Sequence, residues 1–201
     1  MPPRPKLGGL VLWILAECHT RMMSVEPDWV AVVASERCVM CGFEAARIQR
    51  DDLGTLFQAE AGCWATLLSE TNVARLRHRP SADLWSALEN AVHVRDVLSV
   101  FTDRILMALN ESDPEFGWWD HESAVTAEGY NSQSPLAVAA AIASNVERLE
   151  GVLIGLDALS WQRAGTRRVV ERFSVEDLAR FALHESSHHR HNAAIIVAGG
   201  D

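Results

Sequence analysis

A chain of 201 residues with 48% hydrophobic and 22% charged residues has the composition of one globular domain, or one domain with an extension, and not of a disordered chain. Its 18 basic and 27 acidic residues leave a net charge of −9, which repels a phosphate backbone and excludes nucleic acid as an expected partner. The four cysteines, Cys18, Cys38, Cys41 and Cys63, do not make a disulfide framework in a cytoplasmic chain.

Residues 1–50 lack a clean hydrophobic period and are punctuated by Pro2, Pro3, Pro5 and Pro27, so they read as an extension with one or two short helices. Arg4 and Lys6 precede an apolar run, Leu7–Ala16, of the kind a short signal peptide carries. That run is about half of what spans a bilayer. No small-x-small cleavage site follows, and Glu17 stands before Cys18 where a lipoprotein signal needs a small residue. A cytoplasmic location without a membrane partner is the expectation. Cys38-x-x-Cys41 closes the extension. Two reduced thiols tucked against the domain is the favoured reading; half a zinc knuckle completed by Cys18 or His19 is the alternative.

From Asp51 the pattern turns helical. Leu53, Leu56, Phe57, Ala61, Trp64, Leu67 and Leu68 recur at steps of three and four, and Cys63 among them is expected in the core. A second helix is predicted from a Ser81 cap to Asn110, with Leu84, Leu88, Ala91, Val92, Leu98, Ile105 and Leu109 on its stripe. Residues 110–132 read as a long loop holding Trp118, Trp119 and Tyr130. Pro135 opens a third helix to about Leu159. A link rich in arginine, from Trp161 to Phe173, reads as a structural or solvated turn. Ser174 with Asp177 resembles a capping box and starts the fourth helix. With no convincing strand and no internal repeat in 51–201, the fold class is all-α: a four-helix bundle over residues 51–201 with an N-terminal extension over 1–50.

The last helix carries His184-Glu185-Ser186-Ser187-His188-His189-Arg190-His191. At about 100° per residue, Phe181, His184, His188 and Ile195 share one face, and two of them are apolar, so that face points into the bundle. His189 and Arg190 point elsewhere by the same count. Two buried imidazoles one turn apart share a metal, or they cap a bundle end and bond to water. His93, in the middle of the second helix, borders the core with Glu89, Val97 and Val100, and is the natural third ligand. Three facial ligands leave an open, catalytic position. Glu89, Asp96 and Glu185 are candidates to orient the ligand rings, and Arg163 and Tyr130 to contact a substrate. The alternative for Arg163 is a salt bridge holding the link. His19, His78 and His121 read as surface residues. His184-Glu185-x-x-His188 also spells the zinc-peptidase pattern, but its longer form fails: His191 stands where glycine belongs and Ala194 where the third histidine would be.

Several segments together resemble the DinB-like superfamily, which includes mycothiol-dependent maleylpyruvate isomerase and the mycothiol and bacillithiol S-transferases. They are Leu84 to Val97, Trp161-x-Arg163-x-Gly165-x-Arg167, Phe173-Ser174-Val175, His184-Glu185-x-x-His188-His189 and, as in an actinobacterial branch, Cys38-x-x-Cys41-Gly42-Phe43. The resemblance implies a four-helix bundle with a three-histidine metal site, which would be His93, His184 and His188. It implies a divalent metal, Zn2+ first with Ni2+ and Fe2+ as alternatives, and mycothiol as cosubstrate. The expected function is a metal-dependent thiol S-transferase or thiol-dependent isomerase; a non-catalytic metal-binding or structural bundle is the rival. Expected partners are a small-molecule thiol and an electrophile, with a homodimer left open.

Overall fold

The structure, a computed structural model, describes residues 37–199. The expectations placed on Leu7–Ala16, Cys18 and His19 lie outside the described residues. Short 3-10 turns at Ala45–Arg47 and Arg50–Asp52 lead into α1, Leu53–Glu70. There follow α2 (Val73–Arg77), α3 (Ala87–Asn110), α4 (His121–Ala127), α5 (Pro135–Leu153) and α6 (Ala158–Gln162). A hairpin of β1 (Ala164–Arg167) and β2 (Glu171–Ser174) then runs into α7, Val175–Ala198.

The long helices α1, α3, α5 and α7 make the bundle. Helix α1 packs on α5 and α7, and α3 packs on the same two, so α1 and α3 lie across a diagonal although they follow each other in the chain. Their apolar stripes meet in one core: Leu53, Phe57, Ala61, Trp64 and Leu68 from α1, and Leu88, Val92, Leu98 and Ile105 from α3. Val138, Ile142, Val146 and Leu149 of α5 and Leu178, Phe181 and Ile196 of α7 complete it. The expected bundle is thus present. No described helix is long and apolar enough to cross a membrane.

Five expectations are corrected. The loop expected over 110–132 holds α4, capped by Asp120, whose carboxylate accepts from the Ser123 N–H at 3.1 Å. The second helix starts at Ala87, not after Ser81: Ser86 Oγ accepts from the Glu89 N–H while the Glu89 carboxylate accepts from the Ser86 N–H, a full capping box. Helix α5 stops at Leu153, and Gly155 follows with φ +76°. The link holds an antiparallel hairpin, Ala164 opposite Ser174 and Arg167 opposite Glu171. Its turn is built by Arg168 (φ 51°) and Val169 (φ 67°), which occupy left-handed backbone without the glycine or asparagine that normally advertises one. Cys63 is exposed, on the outer face of α1. The capping box at Ser174 and Asp177 forms as expected, with Ser174 Oγ accepting from the Asp177 N–H at 3.1 Å.

Candidate metal centre

Helix α7 carries two donor pairs at i, i+4 spacing, His184/His188 and Glu185/His189, offset by one residue. A one-residue offset turns the second pair about 100° around the helix. The two pairs therefore face different neighbours, and the structure divides the expected three-histidine set between two clusters. His184 and His188 meet Cys38 and Cys41, whereas His93 meets Glu185 and His189. In each cluster the ligand atoms lie within 4.8 Å of one another. His93, His184 and His188 form no such group among the described residues, and the physical reason is that rotation: the face of α7 turned to α3 is that of residues 185 and 189.

In the second cluster, His93 Nε2 and His189 Nε2 each lie 3.5 Å from the same oxygen, Glu185 Oε2. The rings of His93 and His189 are 4.4 Å apart between centroids. Asn90 fixes the proton on His189. Its Nδ2 donates to the Ser86 carbonyl at 2.8 Å, so its Oδ1 faces His189 Nδ1 at 2.8 Å and Nδ1 must be the donor. The lone pair of His189 Nε2 is then left for the cluster, the arrangement by which outer partners orient metal-bound histidines. Burial, followed by the neighbouring His93, pushes the His189 imidazole down to about 3, so it is neutral at physiological pH. Burial works to raise the Glu185 carboxyl, but the adjoining His189 and His93 rings outweigh it and hold the group well below the usual carboxylate range. Two imidazoles and one carboxylate are a donor set that suits a divalent cation and leaves coordination positions free.

Aromatic rings wall this cluster. Trp85 lies 5.1 Å from His93, and Trp119 stacks on it at 5.5 Å with 6° between planes. His121, at the start of α4, comes within 5.6 Å of His93, although the sequence suggested a surface residue. A cavity of about 100 Å³ adjoins His93, Glu185 and His121 and is bounded on its other side by Arg104, Arg167 and Trp118. Arg104 is 6% exposed. It donates to the Gly117 carbonyl at 3.1 Å and packs on Phe101 and Phe116. Burial, then the charge of Arg167, lowers its guanidinium to about 10, which still leaves it charged at neutral pH.

The other candidates serve the scaffold. Glu89 is committed to Ser86 and to an ion pair with Arg79, so it stiffens the first turn of α3. Asp96 accepts from Arg95 Nε at 2.7 Å and from the Tyr130 hydroxyl at 2.6 Å. Tyr130 is fully buried, with its hydroxyl committed to Asp96. Arg163 donates to the carbonyls of Ala108 and Glu111, both at 2.6 Å, and so closes the C-terminus of α3 with positive charge. Glu185 belongs to the cluster itself, opposite His93 and His189. The spacing of His184 and His188 does not single out His189; the doublet His188-His189 itself requires that two histidines face different sides of the helix.

A profile of the DinB superfamily matches residues 57–193, well over half of the chain. The chain belongs to the DinB superfamily. Among solved structures, this DinB-superfamily chain is similar to YfiT from Bacillus subtilis, described as "a probable metal-dependent hydrolase with an unusual four-helix bundle topology". The TM-score is 0.67 at 15% identity, covering 73% of this chain and 85% of that one. At that identity the likeness speaks for the fold alone. None of the curated proteins compared with the chain matches it.

Proposed function

We propose that this DinB-superfamily protein is a metal-dependent enzyme of small-molecule thiol chemistry, with His93, Glu185 and His189 holding one divalent cation, zinc in the first instance. The observation that carries this reading is the convergence of two imidazole Nε2 atoms on one Glu185 oxygen, each at 3.5 Å, beside a cavity. When bound at such a site, a divalent cation supplies Lewis acidity and lowers the pKa of a thiol or water presented to its open side.

The chain's own residues supply the rest. Asn90 keeps the His189 proton on Nδ1, and so keeps Nε2 available. Trp85 and Trp119 exclude water from the His93 ring and sharpen every charge interaction within the site. His121 offers the imidazole that takes the proton a thiol sheds as its sulfur attacks. Arg104 supplies a buried positive charge at the cavity, while Arg167 beside it is paired with Glu171, and that charge favours an electrophile carrying a carboxylate. The thiol is proposed to be mycothiol, with S-transfer or a thiol-assisted isomerisation as the reaction.

The test is metal analysis of the purified chain followed by an S-transfer assay with mycothiol and an unsaturated dicarboxylate, run beside an ester-hydrolysis assay. His189→Ala is expected to lose the cation of this site and at least a hundredfold in turnover. Hydrolysis without thiol transfer would replace the substrate assignment. A chain that holds the cation and turns over nothing would make it a binding protein. A His189→Ala protein with full metal and full activity would remove the site.

A further inference from the structure

The cluster of Cys38, Cys41, His184 and His188 plays no part in the reaction proposed above. The two cysteines sit on a tight turn. Gly42 N–H donates to the Cys38 carbonyl at 2.8 Å, Cys38 N–H to the Phe43 carbonyl at 2.8 Å, and Arg37 pairs with Glu44 as an isolated bridge. Gly42 adopts φ +76°, a backbone that residues with a side chain rarely enter. The turn is thus fixed by its backbone and presents both thiols toward α7. Across from it, His184 is 3% exposed, and neither of its ring nitrogens has a hydrogen-bond partner among the described residues. A buried imidazole without partners is costly to the fold, and one ring nitrogen of His184 lies within 4.8 Å of both thiol sulfurs.

The spacing has a further meaning. Cys38 Sγ and His188 Nδ1 are 3.6 Å apart. A tetrahedral zinc ion with bonds of about 2.3 Å to sulfur and about 2.0–2.1 Å to nitrogen sets those two donors about 3.6 Å apart. All four ligand atoms lie within 4.8 Å of one another, and both cysteines are free thiols. Two sulfurs and two imidazoles are a soft set that prefers zinc over magnesium or calcium.

We propose that Cys38, Cys41, His184 and His188 bind a second zinc ion in a closed tetrahedral site that fastens the segment before α1 onto α7. Four protein ligands leave no open position, so this ion is structural. The segment needs such a fastening. Ala45 is its one fully buried apolar residue among those described, Phe43 and Ile48 are only half-buried against the core, and Arg50 to Glu176 and Arg180 to the Ile48 carbonyl are polar ties to α7. The proposal does not depend on the catalytic reading, because the two clusters share no ligand.

The experiment uses the full chain, reduced, stripped of metal and reloaded with cobalt. A tetrahedral site with thiolates gives an intense sulfur-to-cobalt charge-transfer band in the near ultraviolet, which the sulfur-free His93–Glu185–His189 cluster cannot give. The band is expected in the wild-type chain, in His93→Ala and in His189→Ala. It should vanish in Cys38→Ser/Cys41→Ser, with the loss of one zinc equivalent from the as-purified protein. Cys41→His, which keeps four ligands, should retain the zinc with about half the charge-transfer intensity, and guards against a serine variant that fails to fold. A wild-type chain with no thiolate band, a band that survives the double serine change, or recovery of Cys38 and Cys41 as a disulfide under reducing conditions would each overturn the proposal.

Discussion

Replacing Glu89 with alanine tests how the bundle holds its candidate site. The carboxylate is 2% exposed. It accepts from the Ser86 N–H at 2.7 Å, from Arg79 Nε at 2.8 Å and from Arg79 Nη2. Hydrogen bonds to a charged group contribute about 1.5–3 kcal/mol each, and not additively. Removing one partner of a buried ion pair costs about 3–5 kcal/mol. The Arg79 side chain is 37% exposed, so its guanidinium turns to water and the lower end applies. The Ser86 Oγ bond to the backbone of residue 89 survives the change. The expected loss is therefore about 3 kcal/mol, read in urea as a lower midpoint at unchanged slope. A second effect follows along the chain, because the Ser86 carbonyl holds Asn90 and Asn90 holds His189. Fraying this turn should weaken cation retention at His93–Glu185–His189 and leave the cysteine cluster loaded. The double change Arg79→Met/Glu89→Leu should recover most of the stability, since no charge is left unpaired. A Glu89→Ala protein within about 0.5 kcal/mol of wild type would refute the reasoning.

Tyr130→Phe removes the hydroxyl that donates to Asp96 and should cost about 1.5–3 kcal/mol in chemical denaturation without changing substrate affinity; the opposite pattern would return Tyr130 to the substrate. Gly165→Ala drives a methyl into the Pro114 carbonyl, 2.8 Å from the added carbon, and into the Phe116 ring, and should lower the melting temperature by an amount equivalent to about 1–3 kcal/mol. Asp120 caps α4, and hydrogen bonds from the Ser123 hydroxyl and N–H lower its carboxyl below the ordinary value. Its contribution is thus present above the ordinary carboxylate range and is lost as pH falls through the depressed value. The Ser123 amide resonance should report that step in the wild type, and its absence from an Asp120→Asn titration would confirm the source.

The bundle was legible because each long helix writes its stripe in steps of three and four over several turns, and Ser174 and Asp177 mark a boundary with a recognisable chemistry. Ser86 and Glu89 carry the same signal more strongly, yet Pro80-Ser81 lies earlier and drew the start of α3 forward. The hairpin was hidden for a backbone reason: Arg168 and Val169 hold left-handed conformations that their side chains disfavour, so the turn had no signature. At the candidate site, the metal-ligating residue types were visible but their grouping was not. Counting residues around one helix cannot say which of two adjacent faces meets α3; only the packing of α7 between α1 and α3 decides that Glu185 and His189 look toward His93. Nor does spacing in the chain reveal that Cys38 arrives opposite residues 150 positions later.

The diagonal placement of α1 and α3 has a consequence for how the molecule is made. A hairpin of consecutive helices could close as soon as its second arm leaves the ribosome, but α1 must wait for α5 and α7. Until those emerge, Phe57, Trp64 and Leu68 have no native surface to cover them. Topologies dominated by such distant pairings fold more slowly than local ones of the same size, and the nascent chain carries an uncovered aromatic ridge through most of its synthesis, which makes α1 the segment a chaperone would grip first.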